Sequence, residues 1–102
     1  MSPPKSGDDN LEESKIEKRL KKEIELIGGK ALKFVSPGMS GVPDRIILLP
    51  HDRIVFIELK APGKKPRPIQ IKRIKELKDL GFDVRVIDSI DGVKNFIEEV
   101  VI

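Results

Sequence analysis

The sequence predicts an α/β fold: a central mixed sheet of about four strands, flanked by helices in the order αβββαβα. Residues 41–60, GVPDRIILLPHDRIVFIELK, hold two apolar runs, Arg45–Leu49 and Arg53–Leu59, parted by Pro50-His51-Asp52. Such runs with that punctuation read as a hairpin. Ahead of it, Ile16, Leu20, Ile24 and Ile27 recur at helical spacing. After it, a helical segment, one more apolar run and a last amphipathic segment follow before the chain ends.

Residues 1–9, rich in Pro, Ser, Gly and Asp, are expected to form a disordered tail. Helix 1 is predicted over residues 11–27, with Asn10 as N-cap and Gly28-Gly29 as terminator. Glu13 falls inside its apolar stripe and Glu17 beside it, an unexpected place for acids. Residues 31–35 read as the first strand and 36–41, SPGMSG, as a loop into the hairpin. Beyond the hairpin, residues 61–67 form a basic loop, and Pro68 suits the first position of a helix over 68–80. Ile71, Ile74 and Leu77 are expected to face the core, with Lys72, Arg73, Lys75 and Lys78 mostly outward. Gly81 stops this helix and Asp83–Ile87 is the next strand. Asp91 is expected to cap a final helix to about residue 99, carrying Val93, Phe96, Ile97 and Val100. All four Phe residues (34, 56, 82 and 96) read as core, which argues against an aromatic platform for single strands.

At 102 residues the chain is one domain, with residues 10–102 as its folded part. It has no Cys, which excludes disulfides and thiolate metal sites and fits an intracellular, cytoplasmic setting. Neither a membrane-spanning run nor a secretory leader is expected.

The hairpin also carries the chemistry. With a three-residue loop at 50–52, Leu49 faces Arg53, and the same register puts Asp44 opposite Glu58. A loop one residue shorter would put Asp44 opposite Leu59. Side chains alternate across a strand, so Glu58 and Lys60 project from one face. Two carboxylates this close repel unless a cation lies between them. Hard divalent ions take carboxylate and carbonyl oxygens, so Asp44, Glu58 and the Leu59 carbonyl make a half-shell for Mg²⁺ or Mn²⁺. Lys60 stands beside it, able to hold a water or offset phosphate charge. The plainer alternative makes Asp44 a turn cap after Pro43, and Glu58 and Lys60 a solvated face. Their apolar neighbours Phe56, Ile57 and Leu59 weigh against that.

Gly41-Val42-Pro43-Asp44 followed by Glu58-Leu59-Lys60 resembles the PD-(D/E)xK nuclease motif. With Ser14-Lys15-Ile16-Glu17 before it and Gln70 after it, the pattern is similar to the virus-type replication-repair nuclease (VRR-NUC) domain, from about residue 13 to residue 90. The resemblance implies a restriction-endonuclease-like core and an acid on the first helix completing the metal site. Glu17 matches that acid, with Glu13 as the substitute. Otherwise Glu17 serves a capping box from Ser14 or a pair with Lys21. The resemblance gives Gln70 a role beside the metal. It also implies metal-dependent hydrolysis of DNA by a homodimer of phage or mobile-element type, like a Holliday-junction resolvase. The alternatives are a flap or restriction-like nuclease on the same fold, or a DNA-binding accessory module that does not cleave.

The charge distribution agrees with a polyanionic substrate. Residues 28–75 hold eleven basic and three acidic side chains, and Asp44 and Glu58 are two of those three. A phosphate backbone drawn to this segment arrives at the acids. Lys64, Lys65, Arg67, Lys72, Arg73 and Ser40 are the expected DNA contacts, mainly to sugar and phosphate. His51, alone in a turn, is expected to be a solvent residue.

Overall fold

The structure is a computed structural model that describes the backbone of residues 5–101 and the side chains of residues 11–101. Its elements run α1 (Lys5–Leu26), β1 (Lys30–Lys33), β2 (Arg45–Leu49), β3 (Arg53–Leu59), α2 (Pro68–Asp79), β4 (Asp83–Ile87) and α3 (Ile90–Val100), in the expected order. The four strands form one sheet, β1-β2-β3-β4. The first three are antiparallel, while β4 lies parallel to β3. A parallel neighbour needs a long crossover, and α2 supplies it.

The hairpin register is the one the three-residue loop dictates: Leu49 pairs with Arg53 and Arg45 with Ile57. His51 and Asp52 take φ of 65° and 61°. Two consecutive residues in this left-handed region twist the chain as the flanking strands require.

Alternation along the strands divides the sheet into two faces. Ile47, Leu49, Val55, Ile57, Leu59 and Ile87 point to one face and meet Ile16, Leu20 and Ile24 of α1 and Val93 and Phe96 of α3 in the core. Burying each such side chain contributes roughly 1.5–3 kcal/mol, so this layer holds the domain together. Val100 packs against the cluster, whereas Val101 is exposed and Ile102 lies outside the described residues. Among the described residues, no helix is long and apolar enough to cross a membrane.

Several boundaries differ from expectation. Helix α1 begins at Lys5, so Asn10 lies within it rather than capping it. Of the tail expected over 1–9, residues 5–9 are helical backbone and 1–4 lie outside the described residues. Strand β1 stops at Lys33, though Phe34 N–H still donates to the Asp44 carbonyl at 2.8 Å. Ser89 caps α3, accepting from Gly92 N–H at 2.8 Å, and Asp91 sits in the first turn, where its charge suits the dipole. On α2, Ile71 is 55% exposed, and Ile69 joins Ile74 and Leu77 in being partly buried. Of the four phenylalanines only Phe96 is core; Phe82 is exposed, and Phe34 and Phe56 are half-buried.

Candidate active site

The site forms where β2 begins and β3 ends. Extending the Arg45–Ile57 pair by one residue sets Asp44 beside Glu58. Asp44 is held twice: its carbonyl accepts from Phe34 N–H, and its Oδ2 accepts from Leu59 N–H at 2.9 Å. Pro43 before it is fully buried, and Gly41 takes φ 83° with its backbone against Ile69 of α2. An added Cβ at Gly41 would stand 2.8 Å from the Ile69 carbonyl oxygen. The glycine there serves close backbone approach as well as conformation.

Glu58 is 1% exposed, an unusual state for a carboxylate. Its Oε2 accepts from Gln70 Nε2 at 2.5 Å and lies 3.1 Å from Lys60 Nζ. Gln70 is itself fixed, because its Oε1 accepts from Arg67 N–H at 2.8 Å in the first turn of α2. The other carboxylate oxygen of Glu58, Oε1, is buried with no hydrogen-bond partner. Burial raises the Glu58 pKa to about 7, and the neighbouring Asp44 charge adds to the rise while Lys60 opposes it. The carboxylates therefore crowd each other as the register predicts.

The two acids of α1 meet different neighbours. Glu17 forms an ion pair with Arg45, a residue the sequence reading did not single out. Arg45 shares the α1-facing side of β2 with Ile47, and a cation on a core-facing strand position opposite a helix acid was the available signal. Glu13, part-buried, has a raised pKa, first through burial and then through Asp44, with Lys60 lowering it. Glu13 thus lies within the field of the site.

A divalent cation fits this donor set. Among the described residues no group of three or more acidic or histidine side chains forms a ready-made cage. Asp44 and Glu58 bring two carboxylates together, and the unpartnered Glu58 Oε1 is a buried carboxylate oxygen in need of a positive partner.

Lys64, Lys65, Arg67 and Lys72 are exposed around the basic loop and the first half of α2, and Ser40 is exposed on the loop before Asp44. Arg73 differs from its expected outward pose. Its side chain is only 16% exposed, donating to the Ser40 carbonyl at 2.9 Å and pairing with Glu76 at 2.9 Å. It ties the loop at 36–41 to α2. His51 is exposed in its turn, as expected.

The chain is similar to known proteins over most of its length. A family model for the VRR-NUC domain matches residues 6–91. The p44 protein of Acyrthosiphon pisum secondary endosymbiont phage 1, named as a candidate nuclease, is 52% identical over 81 residues, covering 79% of this chain and 87% of that protein. A solved VRR-NUC domain superposes with a TM-score of 0.81 at 33% identity, covering 85% of this chain and 95% of that one.

Proposed function

The chain belongs to the VRR-NUC domain family, and from that premise we propose a metal-dependent DNA endonuclease that acts as a homodimer on branched DNA, in the manner of a four-way-junction resolvase. The nuclease assignment has the support of the family match and of the phage relative's name. The observation that carries the mechanism is the buried Glu58 carboxylate, crowded by Asp44 and with one oxygen unpartnered.

Asp44, Glu58 and the Leu59 carbonyl would hold Mg²⁺ or Mn²⁺, which supplies a more acidic water and neutralises phosphate charge. The remaining work falls to the chain. Gln70, anchored on Arg67 N–H, holds Glu58 Oε2 and so restrains the rotamer of a carboxylate whose Oε1 is left without a hydrogen-bond partner. Lys60, 3.1 Å from Glu58, presents an ammonium beside the same oxygens and stabilises negative charge on the phosphate as water adds and one strand oxygen leaves. Glu13 is the third acid of this reading, since its charge already couples to Asp44 and Lys60. Glu17 is spent on Arg45 and acts as a strut between α1 and β2. The exposed Lys64, Lys65, Arg67, Lys72 and Ser40 bind the sugar-phosphate backbone beside the scissile bond.

The test is a panel of four-way junction, flap, plain duplex and single strand, each incubated with Mg²⁺ or with EDTA. Symmetrical cuts in the junction that EDTA abolishes are expected. Preferential cutting of the flap would move the assignment to a flap nuclease. Binding without cleavage of any substrate would leave a DNA-binding module.

A further inference from the structure

Summed along its length α1 is not basic, but its charges separate by direction. Residues 11–26 hold five cations and five acids. Ile16, Leu20 and Ile24 are buried against the sheet. At about 100° per residue, the opposite side of this stretch carries Lys15, Lys18, Lys21 and Lys22, with Glu25 the one acid among them. All four lysines are exposed. The remaining acids are engaged elsewhere: Glu12 pairs with Lys15, Glu23 with Arg19 and Glu17 with Arg45, while Glu13 lies in the field of the site. Among the described residues, no acid pairs with Lys18, Lys21 or Lys22. Together with Glu25 and Leu26 these three line an open groove of about 480 Å³ on the outside of the helix.

We infer that this lysine ridge is a second nucleic-acid surface, which takes the phosphate backbone of one arm of a branched DNA while the basic loop and α2 hold another. Placement carries the inference. Helix α1 covers the sheet face formed by Ile47, Val55 and Ile57. Helix α2 reaches Glu58, on the opposite face, through Gln70. The ridge and the cations of residues 64–72 therefore lie on opposite sides of the sheet, with the site at the strand ends between them. A straight duplex that follows one surface leaves the other behind, whereas two arms diverging from a branch reach both. The ridge also starts beside the site, because Glu17, between Lys15 and Lys18, holds Arg45, the residue after Asp44. Lys15, Lys18 and Lys22 extend over about 10 Å of helix, which suits a charged backbone better than a single anion. A lipid surface is the other extended polyanion, but insertion needs an apolar face. The outward apolar neighbours of the ridge among the described residues are Leu11 and Leu26, about 22 Å apart along the helix. This inference rests on the DNA reading proposed above and adds to it a surface that neither the motif residues nor the basic loop supplies.

The test measures binding alone, in EDTA, by fluorescence anisotropy of the intact chain on a four-way junction and on a linear duplex the length of one arm. The ridge variant combines Lys18→Gln, Lys21→Gln and Lys22→Gln, since glutamine keeps helix propensity and none of the three belongs to the site. A control variant combines Lys30→Gln, Lys78→Gln and Lys94→Gln, three exposed lysines off the ridge, for the same loss of charge. At ~0.1 M salt the ridge variant should lose roughly ten-fold or more in junction affinity, with its salt slope lowered by roughly 2–3 and a much smaller loss on the short duplex. Should the triple variant melt early, Lys18→Gln and Lys22→Gln carry the test singly, each lowering the slope by about 1. Unchanged junction affinity and slope overturn the inference, and so does an equal loss in the control variant. Equal losses on both probes overturn the assignment to a second arm. Binding to anionic vesicles that the ridge variant loses, with junction affinity kept, overturns it in favour of a membrane surface. A protein that passes these tests yet cuts nothing with Mg²⁺ would count against the nuclease reading and leave the ridge standing.

Discussion

Replacing Glu58 by Gln should stabilise the metal-free protein above neutral pH while abolishing cleavage. Glu58 titrates at about 7 in the fold against an ordinary value of 4.5, chiefly because it is buried and then because Asp44 is adjacent. A carboxyl group whose folded pKa is raised holds its proton more tightly in the native state than in the unfolded one. Stability from this group is therefore greatest below about 4.5, declines as pH rises towards 7, and stays low beyond it. The interval corresponds to ~3 kcal/mol as an upper bound, and water reaching the site reduces it to roughly 1–3 kcal/mol. Gln is nearly isosteric and keeps an oxygen for Gln70 and Lys60, so it removes the charge without opening a cavity. In EDTA at about pH 8 the variant should melt ~5–15 °C above wild type, given the few degrees per kcal/mol typical of a domain this size. The two should converge towards pH 4.5, and Mg²⁺ should raise the wild-type melt alone. Thermal melts across that range decide it. Equal or lower stability of Glu58→Gln at pH 8, or a gap that does not change with pH, would refute the electrostatic account of the site.

Glu13→Gln should weaken Mg²⁺-dependent cleavage far more than Glu17→Gln, measured under single-turnover conditions. Breaking the Glu17–Arg45 pair, whose arginine side chain is only 15% exposed, should cost ~1–3 kcal/mol in a denaturant titration. Gly41→Ala should lose ~1–3 kcal/mol by the same titration, because the residue sits at positive φ and its Cβ meets the Ile69 carbonyl. Arg73→Ala should raise amide exchange across residues 36–41 by mass spectrometry, since the side chain secures the Ser40 carbonyl. Unchanged exchange there would remove its role as a tether.

The hairpin and the pairing of Asp44 with Glu58 were readable from sequence because one loop length fixes one register, and the register fixes every facing pair. Gln70 was placed from family resemblance. Its reason is physical and visible only in three dimensions: it spans from Arg67 N–H to the Glu58 carboxylate. The proposal of Glu13 over Glu17 rests on Arg45, which is distant in sequence from Glu17 and pairs with it. The aromatic residues show the limit of composition. Phe34, Phe56 and Phe82 read as core because phenylalanine usually is, yet Phe82 is exposed and Phe34 and Phe56, in a row with it, are only half-buried. Arg73 reads as an outward cation on any helical wheel; its recruitment by a backbone carbonyl of another loop leaves no mark in periodicity.

The most direct measurement compares wild type with Asp44→Ala on one four-way junction, following binding by gel shift in EDTA and cleavage after Mg²⁺ is added. The account predicts comparable affinity for the two proteins and cleavage by wild type alone. An Asp44→Ala protein that cuts as fast as wild type would contradict it.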